Sequence, residues 1–462
     1  MSPSAQLRAR PPQAPAATQP YVDIAFRIGA QLARSAVWHG ALCNWFGPVF
    51  EEHAGSHQLA CGTLGPGLYD GTAGIALFLG CLHGATGDPV MGRTARGAME
   101  HALSRAEDVP AEIRLGFYTG LVGIGYAATE VGRVLDDGGL VERGLELVRR
   151  SLELDPKGGI VIDVMSGNAG VIPALLRLHA QSGDPRLLEA ARSRGEALLA
   201  HAHRSERGLS WDAIGELAQA IDLSSVSDRL ANAKPGDPDR PHLTGFSHGA
   251  GGVAWALLEL GTAIQDDRFV QAARDGFAYE DSWFDAATDQ WLDLRDYRPG
   301  TARPAAAAWC HGAVGIGLAR MRAFELTGDE ADRQNALRAL RIATRSVLGG
   351  LAGAANYSLC HGLAGDAELF LKWAETTGDG AARQLVDAIA QHGIQAYATR
   401  RIPWPSGLEN GPEAPSLMLG SAGTGYFYLR AAEPDLAPSI LLVCPPGLSK
   451  PTSTGRSTNI LQ

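Results

Sequence analysis

Trp309-Cys310-His311-Gly312-Ala313-Val314-Gly315 is read beside Leu359-Cys360-His361-Gly362-Leu363-Ala364-Gly365 and Phe246-Ser247-His248-Gly249-Ala250-Gly251-Gly252. Each stretch sets a thiol or imidazole, or both, against glycines at the spacing G-x-x-G. The spacing recurs at Gly71-Thr72-Ala73-Gly74, Gly120-Leu121-Val122-Gly123, Gly167-Asn168-Ala169-Gly170 and Gly420-Ser421-Ala422-Gly423. Each occurrence leads into an apolar run such as Ile75-Ala76-Leu77-Phe78-Leu79. Most intervals are about fifty residues, long enough for two helices and their connections, and such a period marks a repeated supersecondary unit. The unit is a helical hairpin. Cys310 cannot reach Cys360 and His361 by local chain geometry, so a metal shared by the three requires the repeat to bring the chain back.

Between the glycine-led runs lie segments rich in Ala, Leu, Arg and Glu, at 90–106, 140–153, 185–203, 266–278, 330–347 and 381–398. Their apolar residues fall at three and four spacing, the pattern of helices with one buried face. The expected fold is all-α: an α/α toroid of about seven hairpins, apolar helices inside and amphipathic ones outside. All inner helices then start at one end, where glycine keeps side chains away and is expected to leave N–H groups pointing into the end cavity. Two intervals are longer. The extra residues 224–241 read as a surface loop. Segment 283–304, with Trp291-Leu292-Asp293-Leu294-Arg295, reads as a loop that either overlooks the cavity or lies in solvent. Residues 1–20 and 445–462 are expected to be tails flanking a toroid over 21–444.

Composition narrows the partners. Hydrophobic residues at 45% and charged residues at 19% of 462 describe a soluble globular chain, and a net charge of −10 with no basic cluster argues against nucleic acid. No stretch nears ~18 uninterrupted apolar residues, so no membrane span is expected. The N-terminal stretch lacks the apolar core of a secretory signal, which points to the cytoplasm. Six cysteines in so long a chain are not a disulfide framework.

Zinc sites that do chemistry carry three protein ligands and an open position. Cys310, Cys360 and His361 each sit just before a repeat glycine, at the same end of inner helices, and form such a set. Cys43, Cys61, Cys81 and Cys444 lack that placement and read as small buried hydrophobes. His311 could compete as a ligand, but the toroid points it away from Cys310. His248 holds the equivalent place in another repeat and suits a general acid or base; a helix-capping histidine is the plainer reading. Asp163, four residues before Gly167 in an apolar context, needs a partner and could orient His248, although an aspartate before a helix often caps it. Arg303 is a candidate contact for an anionic intermediate, with Asp70 and Asn168 in comparable positions.

Together, Thr244-Gly245-Phe246-Ser247-His248-Gly249, the Trp309–Arg320 stretch and Ser358-Leu359-Cys360-His361-Gly362 resemble the lanthionine synthetase C-like family, the LanC cyclases. The likeness spans residues 64–430. Stretches 68–79, 291–295 and 415–430 are most similar to the cyclase domain of LanM-type synthetases. The resemblance implies a toroid with one zinc on Cys310, Cys360 and His361. It also implies addition of cysteine thiolates to dehydroalanine or dehydrobutyrine of a ribosomally made precursor peptide, giving (methyl)lanthionine thioethers, with His248 as proton donor and Asp163 assisting. The expected substrate is a dehydrated precursor with its leader. The chain shows no dehydratase region ahead of the toroid, so a separate dehydratase is an expected partner. The cavity arginine of some members has no counterpart among residues 305–308, which leaves Arg303 as a stand-in. A scaffold that keeps its zinc for stability, and an enzyme adding glutathione to dehydro residues, are the alternatives.

Overall fold

Seven helices among the described residues are apolar nearly all round, and such helices are stable only when other protein surrounds them. The computed structural model describes residues 18–53, 56–153, 160–215, 240–295, 297, 303–353, 355–408 and 412–448. Most of both expected tails and nearly all of the 224–241 loop lie outside the described residues. The helices are α1 (Gln19–Ser35), α2 (Thr72–Thr86), α3 (Pro89–Ser104), α4 (Leu121–Val134), α5 (Gly138–Glu153), α6 (Asn168–Ser182), α7 (Pro185–Ala200), α8 (Ala250–Ile264), α9 (Asp267–Asp281), α10 (Ala313–Thr327), α11 (Glu330–Ala352), α12 (Leu363–Thr377), α13 (Gly380–Gly393) and α14 (Ser421–Ala432). The even-numbered helices form the inner ring, each against its neighbours, and α14 meets α2 to close it. The α/α toroid read from the repeat is the observed architecture.

Each of α3, α5, α7, α9, α11 and α13 packs behind the inner helix that precedes it. In α5, Leu140, Gly144, Leu145, Leu147, Val148 and Ser151 are buried on one face. The seventh outer position is filled by α1, which packs on α14. Its buried Tyr21, Ile24, Ala25, Ile28 and Leu32 follow the same helical spacing. Aspartates cap the outer helices: Asp88, Asp184, Asp266, Asp329 and Asp379 each accept a hydrogen bond from the first turn. Short strands decorate the outside. β1 (Val37–His39) pairs with β2 (Leu42–Asn44), β3 (Phe46–His53) with β4 (Ser56–Thr63) and β5 (His203–Ser205) with β6 (Gly208–Ser210). β7 (Phe284–Asp285), β8 (Gln290–Asp293) and β9 (Arg303–Pro304) make a three-stranded sheet from the 283–304 segment.

The role expected of the glycines needs correcting. The first N–H groups of the inner helices do not point into the cavity, because carbonyls of the preceding loop take them. Asn168, Ala169 and Gly170 donate to Val161, Ile162 and Asp163, and Ala250 and Gly252 donate to Leu243 and Gly245. Buried donors are almost always paired, and here the nearest acceptor is the chain's own lead-in loop. That loop lies so close that a Cβ on Gly252 would sit 1.9 Å from the Phe246 carbonyl oxygen, and one on Gly315 would sit 2.1 Å from that of Trp309. The second glycine of the motif is therefore steric. Gly252→Ala is expected to lower stability by about 3 kcal/mol, at the upper end of overpacking effects, read as a shift of the urea midpoint.

The lead-in loops are also stitched to one another in a circle. Tyr69 donates to Tyr118, Tyr118 to Met165, Val164 to Ser247, Ser247 to Cys310, Trp309 to Cys360, Cys360 to Met418 and Met418 back to Tyr69, through backbone bonds of 2.9–3.1 Å. Every acceptor is the residue two before a repeat glycine. Inside the ring runs residues 437–444, with Ile440, Leu441, Leu442 and Val443 buried. Tyr118 Oη donates to the Ile440 carbonyl, Trp309 Nε1 to Leu441 and Tyr426 Oη to Pro438, so the segment is gripped from several repeats.

Candidate metal centre and imidazole–carboxylate pair

Because Cys310 and Cys360 occupy the same place in adjacent repeats, the hydrogen-bonded circle sets them side by side. One ligand atom from each of Cys310, Cys360 and His361 falls within 4.8 Å of the others, the one such cluster among the described residues. A tetrahedral zinc with bonds of about 2.0–2.3 Å needs donor atoms roughly 3.5–3.8 Å apart, so the set fits after small adjustments. Two thiols and one imidazole are the soft and borderline donors that zinc favours. Hydrogen bonding from Cys360 and His361 holds the Cys310 thiol well below its usual range, against the opposing effect of burial. The same pairing pushes Cys360 up, while the Tyr69 hydroxyl at its sulfur opposes that. Burial pulls His361 down, but Cys310 outweighs it and the imidazole is raised.

His361 Nε2 lies 2.6 Å from the Gly407 carbonyl oxygen. A carbonyl can only accept, so Nε2 carries the proton and Nδ1 is the nitrogen with a free lone pair. Gly407 cannot carry a side chain easily: a Cβ there would come within 2.8 Å of Ser358 Oγ and 2.9 Å of His361 Nε2. Gly407→Ala is expected to weaken zinc binding about 10–100-fold, the usual cost of losing a supporting partner, with the helical circular dichroism unchanged. Competition with a chromophoric chelator measures this; unaltered affinity would remove the carbonyl from the account.

At the position before the repeat glycine, three successive repeats carry histidine: His248, His311 and His361. The first is tied to Asp163, with Nδ1 2.5 Å from Oδ2, and both side chains are buried. The other oxygen, Oδ1, accepts from the Ser166 N–H at 2.7 Å, so Asp163 both caps its own turn and orients His248. His248 Nε2 is left for other contacts. His311 stacks on His248, with ring centroids 5.3 Å apart, which places it beside that pair instead of within the cysteine cluster. Asn168 is buried at the first turn of α6, and Asp70 is exposed at the rim.

Arg303 is exposed on β9. The positive charge that reaches both Cys310 and Cys360, and lowers both, belongs to Arg295, which is also paired with Asp293 at 2.6 Å. Segment 283–304 therefore holds one arginine whose charge bears on the thiols. Tyr69 sits at the ring position of the two cysteines, so its place was available from the repeat alignment alone. The four remaining cysteines are free. Burial pushes the thiols of Cys43 and Cys81 up to about 12 and that of Cys444 to about 11, as inert thiols require. Cys61 departs from the expectation: it is exposed on β4, where the two-residue alternation of a strand turns it outward.

An all-helical double ring with two cysteines and a histidine at one rim defines a class, and comparison agrees. The profile of the family described as lanthionine synthetase C-like protein matches residues 62–442, most of the chain. The chain belongs to that family. Among solved structures it is similar to one described as nisin cyclase, with TM-score 0.65 and 15% identity over 92% of this chain and 97% of that one. A GH76A α-1,6-mannanase from Salegentibacter sp. gives TM-score 0.43 and 14% identity over 90% and 99%. Among curated proteins nothing matches. No helix among the described residues is long and apolar enough to cross a membrane.

Proposed function

We propose that the chain is a zinc-dependent cyclase that joins cysteine thiols to dehydroalanine or dehydrobutyrine within one peptide, forming (methyl)lanthionine. The observation that carries the reading is the meeting of Cys310, Cys360 and His361 at the rim that also holds the His248–Asp163 pair. Those three residues would hold the zinc, which when bound lowers the pKa of a substrate thiol in the remaining position.

The substrate thiol gives up its proton, its sulfur forms one C–S bond at the β-carbon, and the alkene electrons move toward the carbonyl as an enolate. The α-carbon then takes a proton, so no atom is lost or gained overall. His248 Nε2 delivers that proton; Asp163 keeps the ring oriented and steadies its charged form. Arg295, whose charge already bears on the cysteines, favours the anionic sulfur and the developing enolate. The dehydro residues come from a separate dehydratase acting on the precursor and its leader. The test is ring closure on a dehydrated peptide, followed by thiol alkylation and mass spectrometry, since closure consumes thiols without changing mass. Retained closure by zinc-stripped protein sinks the mechanism. Glutathione incorporation in place of closure transfers the same site to intermolecular addition.

A further inference from the structure

Between α1 and the turn that follows α13 lies a groove of about 350 Å³, at the small end of ligand cavities. Arg27 and Arg34, seven residues apart on one face of α1, stand on one side, and Arg401 faces them. All three are exposed, and none makes an ion pair among the described residues, whereas Arg96, Arg143, Arg149 and Arg268 elsewhere on the surface are paired. Gln31, between the two helix arginines, is bound to Glu413 at 3.2 Å. Three like charges left to converge in a chain of net charge −10 are complementary to an acidic ligand.

The floor is apolar. Ile28 is 3% and Trp404 7% exposed, while Ile402 at the rim is 46% exposed. A small inorganic anion would use the arginines and leave this surface bare. The terminal segments 1–17 and 449–462 contain no Asp or Glu, so charge does not direct them here. The same strap continues from Arg401 to Gly407, whose carbonyl holds His361. Six residues span at most about 20 Å, which sets the reach from groove to metal centre.

We propose that this groove docks an acidic segment of the peptide substrate, carrying at least one apolar side chain, while the reacting cysteine lies at the rim. The proposal rests on the cyclase reading for the identity of the peptide. It is tested with a fluorescein-labelled peptide alternating Asp or Glu with Leu or Phe, against its Lys counterpart, by anisotropy on the full chain. The acidic peptide should bind, more weakly as salt rises, and the Arg27→Glu/Arg34→Glu variant should lose about tenfold in affinity with zinc content unchanged. Grafting that segment at least about six residues from the cysteine of a dehydrated peptide should lower KM in the wild type and not in the variant, with kcat unaltered.

Equal binding of acidic and basic peptides, or a variant that binds like wild type, overturns the proposal. So does binding to phosphatidylglycerol vesicles that depends on the arginines without any peptide binding, which would make the patch a membrane contact. Wild-type protein that binds the acidic peptide yet closes no ring sinks the cyclase reading and leaves the groove standing.

Discussion

Cys360→Ala protein is expected to leave purification with less than about a tenth of a zinc per chain, against about one for the wild type, and to close no rings. Removal of a direct ligand must cost more than the ~10–100-fold expected for a supporting residue. It also leaves Cys310 without the partner that holds its thiol low. The measurement pairs metal analysis with thiol consumption on a dehydrated peptide. Since Cys360 is buried beside Tyr69 but its backbone carries the link to Met418, alanine keeps the hydrogen-bonded circle and the fold should survive. A folded, zinc-free variant that still forms rings would contradict the proposed chemistry.

The second large effect separates metal from proton delivery. His248→Ala should keep zinc at wild-type content and slow ring closure by about 10²–10⁴-fold, the range of a general acid or base. Asp163→Asn should move in the same direction, because the amide offers one acceptor oxygen where the carboxylate offers two: with Ser166 N–H kept on that oxygen, the NH2 group faces Nδ1 and disfavours the tautomer protonated there. The double variant should be little worse than His248→Ala alone, since the two side chains act as one unit. Additive losses would mean that Asp163 acts independently of the imidazole, and a loss of zinc in either variant would make the pair structural.

Much of this could be read from residue order. The repeat alignment placed seven inner helices and six outer ones, and it put Cys310, Cys360, His361 and His248 at one end. The helices were legible because the inner ones share a steric constraint that only glycine meets, and the constraint recurs at each repeat. What escaped has a common cause in long-range contact. α1 carries the amphipathic spacing of an outer helix, yet its partner α14 comes about 400 residues later. Segment 437–444 is too short and irregular for any periodicity to assign it to the interior. Gly407 supports His361 through a carbonyl, which every residue has. Arg295 was seen within its segment, but nothing in the local pattern said which arginine's charge would bear on the thiols. The helix-start N–H groups were misjudged for a related reason: their acceptors belong to a loop conformation that spacing does not specify.

The pairing of α1 with α14 has a consequence for biogenesis. While the ribosome is still translating, α1 is available but its mate does not exist, and the hydrogen-bonded circle lacks the Met418 link on which its closure depends. The nascent polypeptide must shelter an unsatisfied apolar edge for most of its synthesis, and closure of the ring waits on contacts of high sequence separation. Metal capture is therefore expected to be a post-translational event, completed only once the last hairpin docks.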